Sequence, residues 1–471
     1  MTAEEMQSLS HFLQSPYFFD GRSLPSAVLA LFHLLQQWHP SFPSAQVEKQ
    51  AVYPQLFPGE SPSKGKLEKV MSGLQKAVEQ FIVVHYAPIH REIDQQKIML
   101  RFYREKQLEN GFRNGLKKFD KIQKKETKKG SNFYQYEFWK ETEISQYAFL
   151  YNYNTRKEDL NLTNGIQSLD IYYFVLRLEL VNKLLAQHKF QRPLFVETQQ
   201  QLIRQLLPHI EEQQFFQTPL LELNAAVFSF LSEEKEEQYQ KLLLLLGQYQ
   251  KEIPDEQLKP LLTLCRNYCI RQYNRGKKGF LRKAFELYKD HLAQGYLHYE
   301  DGLLPRTVKT IMELGLRLKE LDWAKQFLQD YKSSIVGTNH PEEVYRYNLA
   351  IYHFASGRFE EALSLLADTY EDTFYKIDAR RLEIKIYYET QSVLLEARLN
   401  AFRILILRTS KGTLPELHRS GNDNFVKLLS QILHSATRGN AKRIDRLKER
   451  LQDKAVIADK HWLLEKLEEM K

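Results

Sequence analysis

Apolar residues recur along most of the chain at the i, i+3, i+4, i+7 spacing that is typical of amphipathic helices. Alternating apolar and polar stretches, which would indicate strands, are few. Four helical segments are predicted near the N-terminus, at residues 4–15, 23–38, 44–56 and 63–86. The fourth carries an apolar stripe made of Leu67, Val70, Met71, Leu74, Val78, Phe81 and Ile82. The pattern predicts an all-α protein in which residues 1–90 form a small helical domain.

This predicted N-terminal domain has an alternative functional interpretation. A PGESP turn joins its last two segments, and Lys64, Lys66 and Lys69 lie near the start of the last one. A helix-turn-helix that contacts DNA would place basic residues there. Any helical hairpin has the same pattern, so DNA contact stays open.

Residues 91–215 read as long polar helices followed by the first helical pairs. The segment 117–129 holds seven lysines against Asp120 and Glu126, which is typical of a solvated helix face or a mobile connection. The aromatic-rich segment that follows, residues 133–153, favours packing between helices over a platform for stacking bases. Both segments remain compatible with nucleic-acid binding.

Residues 216–471 contain helical pairs that recur at a nearly fixed period. In one pair, the first helix carries Asn348-Leu349-Ala350, Gly357 lies in the turn, and Phe359 and Ala362 lie on the second helix. These residues resemble the tetratricopeptide repeat family, whose small residues let two helices approach closely. The chain departs from the family pattern at His353, where a tyrosine is usual, and lacks a closing proline.

The resemblance extends to neighbouring pairs. Alanines at corresponding places, Ala284, Ala324, Ala362 and Ala397, are 40, 38 and 35 residues apart, against about 34 in the family. The resemblance implies a right-handed α-solenoid of divergent hairpins, closed by helices near the C-terminus that cover the last repeat. The FLQSPYF segment and the LFPG turn, with these repeats, also resemble uncharacterised helical proteins of Bacteroidota, which implies a bacterial source.

The family resemblance implies a concave face, lined by first helices, that binds an extended peptide or a partner helix. The matching positions in this chain are Lys309, Glu313, Arg317, Tyr347, Ile351 and Phe354. Aromatic and aliphatic residues beside charges of both signs suit a protein partner. The alternative is that divergent repeats bury these side chains.

A second candidate site is a basic stretch that contains no acid and has aromatic residues between its charges. Its members are Arg266, Arg271, Arg275, Lys277, Lys278, Arg282 and Lys283. Arginine pairs with phosphate and stacks on bases, so the stretch is a candidate nucleic-acid or acidic-peptide patch. The alternative is a helical hairpin whose basic side chains face solvent or meet acids from a neighbouring repeat.

Composition narrows the class of protein without naming its role. The net charge of +8 from 67 basic and 59 acidic residues is modest for 471 residues and does not identify a partner. Cys265 and Cys269 lie one helical turn apart and read as buried small residues in a reducing compartment. The acidic N-terminus lacks the features of a secretory signal, and the longest aliphatic run, Leu242 to Leu246, is too short for a membrane span. We therefore expect a cytoplasmic protein without a membrane segment.

No sequence motif for catalysis, phosphate binding, cofactor binding or metal binding was found. We therefore expect a non-catalytic scaffold, with no cofactor and no metal, that binds a protein or peptide in its concave face. The alternative is a nucleic-acid-binding protein that uses the basic stretch at 266–283 together with the lysine-rich segment 117–129. The oligomeric state does not follow from the sequence.

Overall fold

The chain is built from α-helices joined by short turns. The computed structural model describes residues 1–19, 23–63, 65–86, 91–151, 162–187, 193–366, 369–410, 412–436, 441–453 and 456–470. In these residues the chain forms 23 α-helices and no strand, apart from two isolated bridges. The all-α prediction is therefore confirmed.

The chain divides into two compact units, Met1–Phe174 and Val175–Lys471. The three-part division predicted from the sequence stays a prediction. The helices of the first unit, the last of which crosses into the second, are α1 (Ala3–Gln14), α2 (Ser26–Trp38), α3 (Ser44–Val47), α4 (Lys49–Leu56), α5 (Lys66–His85), α6 (Glu92–Glu105), α7 (Glu109–Lys125), α8 (Ser131–Tyr151) and α9 (Leu162–Gln187).

The second unit continues with fourteen more helices in its described residues. They are α10 (Pro193–Glu212), α11 (Pro219–Glu233), α12 (Glu236–Tyr249), α13 (Asp255–Asn274), α14 (Gly279–Ala293), α15 (Pro305–Arg317), α16 (Leu321–Asp330), α17 (Pro341–Ala355), α18 (Phe359–Leu366), α19 (Thr373–Glu389), α20 (Leu395–Arg408), α21 (Glu416–Ala436), α22 (Ala441–Asp453) and α23 (Lys460–Glu469).

The N-terminal helices differ from their predicted form in two ways. The segment predicted as one helix over 44–56 is interrupted at Glu48, whose extended backbone separates α3 from α4. On α5, Met71 and Ile82 are 43% and 44% exposed, whereas Ala77 is buried. The buried stripe is therefore rotated toward Ala77, on the side where α5 packs against α2.

The lysine-rich and aromatic segments have structural roles. On α7, Phe119, Ile122 and Gln123 face inward while the lysines from 117 to 125 are exposed, so this part of the helix has a solvated face. Lys128 and Lys129 are also exposed and follow the end of α7. On α8, aromatic side chains contact neighbouring rings. Phe112 of α7, for example, stacks on Tyr147 with ring centres 4.1 Å apart. The packing interpretation of these aromatics is confirmed at such contacts.

Consecutive helices of the second unit pack against each other in pairs: α13 with α14, α15 with α16, α17 with α18, and α19 with α20. The first helices α15, α17 and α19 also pack in sequence, α15 on α17 and α17 on α19. We call these three helices the first-helix row. At the α17–α18 turn, Gly357 has a φ of +72°, a left-handed conformation that glycine adopts without a steric penalty.

Three of the four alanines expected to let the pairs approach closely are fully buried, namely Ala284, Ala324 and Ala362. The fourth, Ala397, is exposed, so its predicted role is wrong. Helix α20 instead buries Leu395, Leu399, Phe402 and Ile406, and Ala397 lies away from that face.

The predicted burial of the two cysteines is confirmed. Cys265 and Cys269 are fully buried and have free thiols. Burial raises the pKa of the Cys265 thiol to about 12, which keeps it protonated and unreactive.

Candidate partner-binding site

The structure brings the predicted concave-face residues together on the first-helix row. Helix α15 supplies Lys309, Glu313 and Arg317, and helix α17 supplies Tyr347. Four-residue spacing places the α15 residues on one side of that helix. The Lys309 ammonium lies 5.5 Å from the centre of the Tyr347 ring, so the two helices share one surface.

Much of this surface is covered by the chain itself, which corrects the expectation that it is open. Tyr347 is 4% exposed and Ile351 is 9% exposed. Phe354 is partly buried, with the Lys385 ammonium 4.8 Å from its ring centre. Helix α19 packs on α17, and the Tyr375 ring lies 5.3 Å from that of Tyr347. Tyr347 and Ile351 are therefore core residues.

A row of charges on α19 lies over this covered region. Asp378 pairs with Lys309 and accepts a 2.7 Å contact from Arg381. Asp459, just before α23, lies between Arg381 at 2.7 Å and Lys385 at 3.0 Å. The five side chains are between 10% and 24% exposed, so solvent screens these pairs less than it screens surface pairs.

The protonation of these carboxyl groups follows from the surrounding cations. Burial alone would raise the pKa of Asp459, but Lys385 and Arg381 outweigh it and hold the pKa well below its usual range. The same opposition lowers the pKa of Asp378, where Lys309 and Arg381 overcome burial. Both residues are therefore carboxylates at neutral pH, and each has two cationic partners.

The chain's own C-terminal helix, α23, lies against α19. The Trp462 indole donates to Glu389 at 2.8 Å, and the Lys466 ammonium lies 2.9 Å from the same carboxylate. Leu463 and Leu467 are fully buried and belong to the hydrophobic core cluster that includes residues of α19 to α22. Within the first-helix row, α19 therefore contacts α23 through Glu389 and contacts the preceding residue, Asp459, through Arg381 and Lys385. Helix α23 also packs on α21 and α22.

The sequence did not single out the residues that hold α23. Asp378, Arg381, Lys385 and Glu389 follow one another at intervals of three or four residues, which places opposite charges along one face of α19. This spacing was a signal available in the sequence. Asp459, the partner of Arg381 and Lys385, is more than seventy residues away in the chain, however, and no local pattern connects it to them.

An open part of the surface remains where α15, the end of α13 and α23 meet. The His461 ring stacks on Tyr273 with ring centres 4.3 Å apart, and its Nε2 lies 3.3 Å from the Asn274 side-chain oxygen. The Arg317 guanidinium lies 5.9 Å from the Tyr273 ring centre and is exposed. We call Tyr273, Asn274, Glu313, Arg317 and His461 the α15–α23 junction.

The junction has an exposed cation and a polar aromatic surface. Burial lowers the pKa of His461 to about 4, with help from the charges of Arg317 and Lys460. The imidazole is therefore neutral near pH 7, and positive charge at the junction comes from Arg317. The Glu313 carboxylate is 43% exposed and lies 3.9 Å from the Lys309 ammonium.

The candidate basic patch is less positive than its sequence indicates. Arg266 is 6% exposed, so it is unavailable to a phosphate and its predicted role is corrected. Its guanidinium lies 2.6 Å from His291 Nδ1 and donates to Thr263 at 2.8 Å. Arg266 lies on the side of α13 that packs against α14, and this position explains its burial.

Acids from other helices and turns meet several of the remaining arginines. Arg271 and Arg275 both contact Glu234, at 3.5 and 3.2 Å. Arg282 contacts Glu320 at 2.6 Å, and Lys283 contacts Glu236 of α12 at 3.2 Å. Lys277 and Lys278 remain exposed. A stretch without acids in the sequence thus becomes a surface of mixed charge.

The predicted DNA-contacting lysines give a similar picture. Lys64 lies outside the described residues. Lys66 pairs with Glu60 and lies 4.2 Å from the Phe57 ring centre, whereas Lys69 is exposed. Among the two lysines that the structure describes, one exposed side chain does not distinguish a DNA-reading helix from an ordinary hairpin.

A surface cavity of about 500 Å³ lies in the first unit, beside α7, α8 and α9. Its lining includes Asp120, Glu137 and Lys140, and the Lys140 ammonium lies 3.3 Å and 3.2 Å from these two carboxylates. The charged groups of this cavity therefore neutralise one another. Among the described residues, no three His, Cys, Asp or Glu side chains come together as a metal site.

Comparison with known proteins adds no family. No protein-family model matches the chain, no curated protein matches it, and no solved structure matches it. In the part of the chain that the structure describes, no helix has the length and apolar character needed to cross a membrane.

Proposed function

We propose that this chain is a non-catalytic helical-repeat scaffold of the cytoplasm that binds a protein or peptide partner. In this proposal the pairs from α13 to α20 are divergent tetratricopeptide-like hairpins that form a right-handed solenoid, and the first-helix row is its inner face. The observation that supports the proposal is that α19 of this row contacts α23 through Glu389, and contacts the preceding Asp459 through Arg381 and Lys385.

The partner binds at the α15–α23 junction, because the rest of the row is filled. Leu463 and Leu467 are fully buried in the core cluster, so removing α23 would expose two large apolar side chains at a cost of about 1.5 to 3 kcal/mol each. We therefore treat α23 as a permanent part of the surface. Arg317 and Glu313 are then the charged side chains that a partner meets.

Site-directed capture from the native cell tests this proposal. Tagged full-length chain is used as bait after nuclease treatment at moderate salt, with Arg317→Glu as the test variant and Glu300→Lys as an exposed control away from the junction. We expect one defined protein with the wild type and the control, and its loss with Arg317→Glu. Equal recovery with Arg317→Glu would contradict the proposed site.

The nucleic-acid alternative is not favoured, because Glu234 and Glu320 neutralise arginines of the candidate patch. The same capture distinguishes the two functions. A nucleic-acid complex would disappear after nuclease treatment and weaken steeply as salt rises, since binding to phosphates releases counterions. Recovery of nucleic acid alone would reverse the order of the two proposals.

A further inference from the structure

Helix α9 is apolar on two opposite faces. One face packs into the chain's own core: Phe174, Val175 and Leu178 are at most 5% exposed. On the opposite side Ile166 is 60% exposed and Leu180 is 63% exposed. A helix that is apolar on both sides is normally buried on both sides. We therefore expect a partner to cover the second face of α9.

The exposed apolar residues of α9 follow a heptad pattern. Ile166, Leu169, Tyr173, Leu176 and Leu180 are separated by three, four, three and four residues, which is the a/d spacing of a coiled coil. Leu169 and Tyr173 are 43% and 45% exposed, and Leu176 is half-buried. We call these five residues the α9 seam.

We propose that the α9 seam binds the α9 seam of a second copy of this chain, in an antiparallel two-helix contact. An isologous contact of this kind needs a surface that is complementary to itself under a two-fold axis. With the axis between Tyr173 and Leu176, Tyr173 packs on Leu176 of the second copy and Leu169 packs on Leu180 of the second copy. The described helix of 26 residues is roughly 40 Å long, which is enough for these layers.

Charge selects the antiparallel direction. Asp170 and Arg177 both lie at the e position of the heptad and are half-buried beside the seam. In the antiparallel pairing, Asp170 of each copy faces Arg177 of the other, giving two opposite-charge contacts. A parallel pairing would instead place Asp170 opposite Gly165 and Arg177 opposite Tyr172, with no ion pair.

Light scattering on the full-length chain tests the contact. The wild type is expected to have a mass of twice 55.9 kDa at tens of micromolar. Ile166→Asp buries a charge in the seam and should weaken dimerisation by about 100-fold. Gln167→Asp adds the same charge at the adjacent exposed position and should leave the dimer intact. A monomeric wild type would overturn the proposal.

Charge reversal tests the direction without relying on a core change. Asp170→Arg and Arg177→Asp should each weaken the dimer by about 10-fold or more, and the double reversal should restore it, because the two sites then face each other with exchanged signs. Arg177 also donates to Gln199 within its own chain, so its substitution could disturb the fold. Circular dichroism of each variant therefore checks that the helices are retained. Failure of the double variant to recover would overturn the antiparallel arrangement.

Disulfide trapping independently tests whether the two α9 helices of the dimer run antiparallel. The native cysteines are buried, so an introduced pair dominates the chemistry. Leu169→Cys together with Leu180→Cys should give a covalent dimer under mild oxidation, whereas Ile166→Cys alone should not. Cross-linking by Ile166→Cys alone would show the parallel arrangement and contradict the proposal. None of these outcomes depends on the proposed partner at the α15–α23 junction.

Discussion

Single residues decide what the first-helix row can bind. Arg381 contacts both Asp378 and Asp459, so one guanidinium joins α19 to the segment before α23. The planar guanidinium suits this role, because it offers donors in a fixed fork to two carboxylates at once. Lys385 is the second cation on Asp459 and also lies 5.5 Å from the Trp462 ring centre, which ties charge pairing to the aromatic contact.

The lowered pKa of His461 predicts that the free energy of unfolding depends on pH. Its pKa is about 4 in the folded chain and near 6.5 in the unfolded chain. As the pH falls, the unfolded chain therefore takes up the proton before the folded chain does. The neutral imidazole thus contributes stability that is fully present above about pH 6.5 and is lost as the pH falls toward 4. His461→Phe keeps a ring on Tyr273 but cannot titrate. Between about pH 7.5 and pH 5, the wild type should lose more unfolding free energy than the variant, by about 1 kcal/mol once solvent screening of this half-exposed ring is included.

Urea unfolding of both proteins at the two pH values measures this difference. His291, whose pKa burial and Arg266 also lower to about 4, is present in both proteins and cancels in the comparison. An equal loss of stability in the wild type and in His461→Phe would show that the imidazole is not held neutral against Tyr273.

Helix packing depends on which face of each helix carries the small residues. Ala324 and Ala362 are fully buried, which is the condition for close approach between paired helices. In α20 the buried positions are Leu399, Phe402 and Ile406, so that helix packs through large residues. The pairs are therefore not equivalent, although their lengths are similar.

Two matched substitutions test this difference between elements. Ala362→Leu should destabilise the chain by about 1–3 kcal/mol, because a fully buried site next to α17 has no room for three more carbons. Ala397→Leu makes the same chemical change on an exposed face and should shift stability by less than about 0.5 kcal/mol. Urea unfolding measures both. Similar effects in the two variants would mean that alanine size does not control the α17–α18 contact.

The sequence predicts helices better than it predicts which faces are covered. Periodicity located the helical pairs, and the small-residue pattern identified Ala324 and Ala362 correctly, because both signals are local. Tyr347 was expected at an open surface and is buried, since its exposure depends on α19, whose Tyr375 packs on it. The basic stretch after Cys265 is less positive than expected for a similar reason, because Glu234 and Glu320 come from other parts of the chain.

At the scale of the whole chain, distributed ion pairing explains why a net charge of +8 does not produce a uniformly basic surface. Arg271, Arg275 and Arg282 meet carboxylates, while the exposed lysines of α7 lie on a solvated helix face. Among the described residues, the α15–α23 junction and the α9 seam are the two surfaces that we propose for macromolecules. The two surfaces support separate proposals, a partner complex and a dimer, and each has its own test.

Helix α19 of the first-helix row recognises an amphipathic helix in our proposal, and α23 is the helix that it contacts. Titration of a fluorescent peptide of residues 456–471 into full-length chain tests this claim most directly. The double variant Asp459→Lys with Trp462→Ala loosens α23 by removing the contacts of Asp459 to Arg381 and Lys385 and the indole hydrogen bond to Glu389. Glu465→Lys, at an exposed position of α23, is the matched control.

We expect the peptide to bind the double variant at least about 10-fold more tightly than it binds the wild type or the control, because the chain's own α23 is then held less tightly against α19 and competes less with the peptide. Adding Arg381→Ala to the double variant should weaken peptide binding by about 30-fold or more, through loss of the charge pair with Asp459 of the peptide. Equal peptide affinity for the wild type and the double variant, or binding that is unchanged by Arg381→Ala, would contradict the claim.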